Sequence, residues 1–203
     1  MELSANLAKT CRNLELFGTV VKHFATGAEA ADYLLSEITG TTVGIGGSKT
    51  VDQLGIYDRL KETNEVTWHW KDGFEEDVYR RAREAKVYLC SPNAVAETGE
   101  MIFIDGRGNR VSALTTLIEG KRVYLPCSVK KICPDAASAI ARARSISPAN
   151  LARFTDALPC QKDGQCHDCR DPQRMCRAFL ALCGNMGWME KIEAIFIDED
   201  LGL

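Results

Sequence analysis

Short apolar runs alternate with stretches of helical spacing along the chain, and this alternation limits the fold more than any other feature. Val20 to Ala25, Thr42 to Ile45, Val66 to Trp70 and Lys86 to Cys90 read as strands, followed by Met101 to Ile104, Arg122 to Pro126 and Ile192 to Asp198. Between them, apolar residues recur every three or four positions. Leu3, Leu7, Cys11 and Leu14 make one face of an N-terminal helix. Ala31, Leu34, Leu35 and Ile38 make another, opened by Thr26-Gly27-Ala28-Glu29, which fits a capping box. Further helices are expected over Phe74 to Glu84, Val111 to Ile118, Asp135 to Ser145 and Pro172 to Cys183. The alternation predicts an α/β fold with an open, mostly parallel sheet flanked by helices.

With 203 residues, 45% of them hydrophobic, the chain suffices for one substantial core. A single domain over 1–203 is expected, with 1–40 as an N-terminal helix-and-strand portion and 159–176 as a cysteine-rich insertion. A formal charge of −3 argues against nucleic acid as the main partner. No apolar run approaches the roughly 20 residues of a membrane span. The opening residues lack a basic, then apolar, secretory pattern, so a cytoplasmic protein with reduced thiols is expected. A homo-oligomer is compatible with the sequence.

Two segments carry candidate chemistry at strand ends. Val43-Gly44-Ile45-Gly46-Gly47-Ser48-Lys49-Thr50 places glycines between a strand and a helix. Such a turn admits a phosphate or carboxylate to the backbone N–H groups, with Ser48 and Thr50 adding hydroxyls. It also reads as a plain tight turn with Ser48 as N-cap. The Walker A spacing is absent, and Lys49 occupies the third glycine position of a dinucleotide fingerprint, so no flavin or nicotinamide motif stands. In the second segment, Glu97 precedes a glycine turn and an apolar strand. It could act as nucleophile or general base, or simply cap or pair. Asp105 to Asn109 reads as turn chemistry, and Trp68-His69-Trp70 as strand alternation and core packing rather than a platform for a planar ligand.

The odd count of nine cysteines fits a closed disulfide framework poorly. Cys160, Cys166, Cys169 and Cys176 follow a C-x5-C-x2-C-x6-C spacing. That pattern suits zinc, an iron–sulfur cluster or a redox thiol pair, and the spacing does not separate the first two. Four unligated surface thiols are the remaining reading. Cys11, Cys90, Cys127 and Cys133 are expected to pack.

The Gly46-Gly47-Ser48-Lys49-Thr50 turn, the segment Ser91 to Leu114 and the run Pro159 to Cys176 together resemble the LUD-domain family of lactate utilisation proteins. The resemblance extends from roughly Thr41 to Gly202. It implies a fold like that of the CoA transferases, ribose-5-phosphate isomerase and glucosamine-6-phosphate deaminase, with the ligand above the strand ends. It implies an oxidoreductase subunit acting with iron–sulfur partner proteins to turn lactate into pyruvate. The implied site combines Gly46, Gly47, Ser48 and Thr50 with Asn93, Glu97 and Asn109 around a small carboxylate or phosphorylated ligand. Glu97-Thr98-Gly99 is also similar to the Glu-Asn-Gly of CoA transferases, whose glutamate attacks an acyl-CoA; Thr98 stands where they carry asparagine. Two other expectations follow: a CoA-transferase-like or sugar-phosphate-type enzyme using Glu97, and a non-catalytic metal-binding scaffold docking its partners through the cysteine loop.

Overall fold

The computed structural model describes residues 4–152, 156–174 and 176–203. The first half runs α1 (Ala5–Leu16), β1 (Val20–Phe24), α2 (Gly27–Glu37), β2 (Thr42–Ile45), α3 (Lys49–Gln53), α4 (Tyr57–Lys61), β3 (Glu65–Trp68), α5 (His69–Asp72) and α6 (Glu76–Glu84). The second runs β4 (Val87–Leu89), β5 (Ala94–Ala96), β6 (Met101–Asp105), α7 (Asn109–Thr115), β7 (Lys121–Ser128), β8 (Ile132–Cys133), α8 (Ala136–Ser145), α9 (Ser147–Leu151), α10 (Pro159–Asp163), β9 (Ala178–Leu182) and β10 (Met189–Ile197).

Six strands form one sheet in the order β1-β10-β7-β4-β2-β3, every pair parallel. Side chains alternate along each strand, so both faces must be covered. Val123, Leu125, Ile192, Ala194 and Phe196 enter one core with Leu7 and Leu14 of α1. Tyr124, Ile195, Ile197, Val43 and Ile45 enter another with Ala30, Ala31 and Leu34 of α2. The capping box fixes where α2 begins. Thr26 Oγ1 accepts from Glu29 N at 3.2 Å, and Glu29 Oε2 accepts from Thr26 N at 3.1 Å. In β2, Gly44 is needed for close approach, because a Cβ there would overlap the Ala82 carbonyl of α6. Of the expected N-terminal face, Leu7 and Leu14 are buried and Cys11 packs against them; Leu3 lies outside the described residues.

Three sequence expectations change. A second, four-stranded sheet, β8-β5-β6-β9, packs beside the first. Its Val95, Met101 and Phe103 face the first core, while Ala94, Ala96, Ile102 and Ile104 face Ala139 and Ala143 of α8. The helix expected from Pro172 to Cys183 is instead the strand β9, paired antiparallel with β6 from Met101↔Leu182 to Asp105↔Ala178. An Ala- and Leu-rich segment has helical propensity, but pairing to a buried neighbour overrides it. The strand expected to Trp70 ends at Trp68, and the chain turns into α5 at His69.

Candidate functional site

In the large sheet β2 and β4 lie side by side, but the chain leaves β2 outward to β3 and leaves β4 toward β7. Crevices open at such reversals, at the carboxyl ends of the strands. A cavity of about 340 Å³ lies there. Its walls come from the turn after β2, from α5, and from residues just past β4, β6 and β7.

Lys131 anchors the polar wall. It follows β7 and is 3% exposed. Its Nζ donates to Thr50 Oγ1 and Ser91 Oγ, both at 3.0 Å, and to Pro92 O at 3.4 Å. Among the described residues none of these acceptors is a carboxylate. Burial pushes the ammonium down to about 8; the Arg142, Arg110 and Lys130 charges add to this, against an opposing contribution from Cys127. A hydroxyl that accepts from an ammonium still has its own hydrogen to give. Thr50 and Ser91 are thereby set to donate, with Ser91 offered only a long contact to Pro92 O at 3.4 Å.

Arg110 closes the same wall. Asp105 Oδ2, at the end of β6, accepts from the backbone N–H groups of Arg110 at 2.7 Å and Val111 at 3.1 Å, capping α7. The Arg110 guanidinium donates to Ser91 O at 3.4 Å and to Ile104 O. Residues 199–203 cross nearby: Ser128 Oγ donates to Glu199 O at 2.7 Å, and Gly202 N to Gln53 Oε1 at 2.6 Å. Gly202 has φ +75°, and a Cβ there would crowd Thr50 Oγ1 and Lys131 Nζ. Only glycine lets the backbone pass so close in that conformation.

The opposite wall is aromatic. The His69 ring is 4.9 Å from Tyr79 and 5.8 Å from Phe74, and Trp70 stacks at 5.4 Å on buried Trp68. Burial first, then the Arg107 and Arg110 charges, push His69 down to about 4 despite Asp105, so the ring is neutral at neutral pH.

The family model described as the LUD domain matches residues 7–196. The chain belongs to the LUD domain family. Its fold is also similar to a solved structure, a DUF162 family protein from Deinococcus radiodurans, with TM-score 0.58 and 12% identity over 97% of this chain and 99% of that one. At that identity the likeness bears on the fold alone. No curated protein sequence matches.

In this LUD domain, Gly47, Ser48, Thr50, Asn93 and Asn109 all line the cavity. Gly46 lies just behind it, where a Cβ would meet Tyr88 Oη at 2.7 Å and Arg110 Cγ at 2.9 Å. Ser48 is an N-cap, accepting from Val51 N at 3.2 Å. The helix it opens has five residues, too few to offer the helix-N-terminus anion seat expected from the sequence. Asn93 Oδ1 accepts from Ile104 N at 2.9 Å and holds the loop after β4 against β6.

Glu97, Thr98 and Gly99 are not among the lining residues. Glu97 follows β5, roughly 13 Å along the chain from Asn93 at extended spacing. Its Oε2 pairs with Lys9 Nζ at 3.0 Å, and its carbonyl accepts from Asn13 Nδ2 at 2.6 Å. Thr98 Oγ1 donates to Glu100. Gly99, at φ +106°, lies where a Cβ would strike the Phe17 ring at 2.8 Å. These contacts tie the β5–β6 turn to α1.

The cysteine run is looser. Cys160 is buried in α10, while Cys166, Cys169 and Cys176 are half-buried. Cys176 accepts from Arg174 Nη2 at 3.4 Å and lines the cavity. No group of three or more His, Cys, Asp or Glu side chains among the described residues is placed to hold one metal ion. Cys90 and Cys127 pack in the core, and burial pushes their thiols up to about 12 and about 11. No described helix is long and apolar enough to cross a membrane.

Proposed function

We propose that this LUD domain is the small-anion-binding subunit of a lactate-oxidising system, and that the anion rests against Lys131, Thr50, Ser91 and Arg110. The family's association with lactate utilisation supplies the context. The buried Lys131 ammonium carries the reading. A buried charge without a counter-charge is costly, and a bound carboxylate or phosphate supplies one. Thr50 and Ser91 complete the acceptor's hydrogen bonds, and Arg110 adds a second positive charge. Neutral His69 lies across the cavity within reach of Asp105's field.

Oxidation of lactate to pyruvate removes two electrons and two protons. On this reading the electrons leave through iron–sulfur partner subunits, while the residues of this chain bind the carboxylate or phosphate group of a ligand used by that system. Metal at Cys160, Cys166, Cys169 and Cys176 is a separate proposal that rests on their spacing. The thiols as placed do not fit a preformed cage, so binding requires 160–176 to close around the ion. Metal analysis and a visible spectrum of anaerobically purified protein test it, with broad visible absorbance marking iron–sulfur and colourless stoichiometric zinc marking the alternative.

The anion reading is tested by calorimetric titration of lactate, pyruvate and inorganic phosphate into wild type and Lys131→Met, with lactate-dependent acceptor reduction measured once partner subunits are added. Equal affinity in the variant would overturn it.

A further inference from the structure

We infer that the ligand of this cavity carries a planar aromatic ring joined to its anionic group. The inference rests on the anion reading above and names the part of the ligand that lactate lacks. The cavity has two unlike walls. Lys131, Thr50, Ser91 and Arg110 serve the anion; Trp70, His69 and Phe74 face it from the other side.

The aromatic wall has the properties of a stacking surface. Trp70 lies against fully buried Trp68 at 5.4 Å with 24° between planes, so its ring plane is fixed from behind. Gly47 passes in front with no side chain; a Cβ there would already approach His69 Nε2 and Trp70 to 3.4 Å. His69 presents an uncharged ring. Phe74 is 55% exposed at the rim, its ring edge-on to His69 at 5.8 Å. Rigid rings of this kind offer contact area at little entropic cost, and ring-on-ring stacking tolerates many ring chemistries.

Size argues the same way. At about 340 Å³ the cavity lies at the lower end of small-molecule pockets, and a lone phosphate or lactate engages only its polar wall. The shared chemistry has two sources, a mononucleotide or an aromatic acid.

The test uses the full chain and titrates inorganic phosphate, AMP, nicotinamide mononucleotide, FMN, benzoate and nicotinate, reading heat and tryptophan fluorescence. The expected result is at least one ring-bearing probe binding about tenfold or more tighter than phosphate. Trp70→Ala should remove that excess and leave phosphate affinity unchanged. Phe74→Ala, at the exposed rim, should reduce it several-fold without threat to folding. The winning probe class separates nucleotide from aromatic acid. If phosphate binds and no ring-bearing probe binds tighter, the ring is excluded and the anion reading stands. If a ring probe binds tighter but neither variant weakens it, the ring does not use this wall and the inference fails. If neither phosphate nor any ring probe binds, both readings fail together.

Discussion

The cavity above β2, β4 and β7 and the cysteine segment 159–176 are built in opposite ways. Around the cavity, the polar groups sit just past strand ends or on the short helices that follow them, the strands are anchored in two packed cores, and Lys131 is fixed by three acceptors. Among its described residues the cysteine segment has one short helix, α10, and its carboxylates and guanidiniums pair mostly with one another, as in Asp168 with Arg170 and Arg174. A site carried by strands is preorganised and needs no ligand to exist. A site carried by a polar loop acquires its shape only with the ion that orders it.

The largest effect expected from that difference is at Lys131. Lys131→Met should lower phosphate affinity on the order of a hundredfold, since it removes charged hydrogen bonds and un-orients two hydroxyls. Its melting temperature should hold within about a few degrees, because a buried charge is exchanged for an apolar side chain of similar length. A large loss of stability with unchanged affinity would make Lys131 structural and erase the contrast.

A pH series sharpens the same point with a smaller change. Lys131 titrates near 8 in the folded protein, against about 10.4 when unfolded. Anion affinity should therefore fall as pH rises through about 8. Between those two values the unfolded chain binds more protons, so this group makes stability rise with pH, not fall. Lys121, also lowered to about 8 by burial, adds the same stability trend from its place between Arg83 O and Ala113 O. In Lys131→Met the affinity change should vanish and the stability trend should shrink to the Lys121 part. His69, near 4, stays neutral throughout this window.

Local rules written into adjacent residues were legible in the sequence. The Thr26–Glu29 capping box, the Ser48 N-cap and the strands around Val43 and Val123 could all be read from a few neighbouring positions. The turn after β2 and Asn93, far apart in the sequence, line one cavity. What escaped depends on distant partners. β5 and β8 span three and two residues, too short to show a period. β9 is a strand only because β6 is beside it. Lys131 follows Lys130 with nothing local to separate them, yet one is buried among hydroxyls and the other pairs with Asp200 at the surface. Trp68 and Trp70 do pack together against the second core, as strand alternation suggests, but the turn into α5 that also brings Trp70 to the cavity is not marked by glycine or proline.

Substitution in the cysteine segment should leave the cavity almost untouched. Cys166→Ser with Cys169→Ser is expected to change phosphate affinity by less than about twofold while removing any bound metal, read by metal analysis on the same sample. Loss of anion affinity in this variant would mean that the segment and cavity form one site, joined through Cys176.

The smallest effect belongs to Glu97. Its carboxylate is spent on Lys9, which is half-exposed, and pairs of that kind contribute at most about 1 kcal/mol. Glu97→Gln should therefore leave lactate-dependent turnover with partner subunits, phosphate affinity and melting temperature close to wild type. An acyl-CoA exchange assay belongs beside these measurements, because a glutamate nucleophile would show there and nowhere else. Exchange activity that disappears with Glu97→Gln would move the chemistry out of the cavity to the turn between β5 and β6. Lys9 and Asn13 of α1 would then be the groups that hold the nucleophile, rather than a brace for the turn.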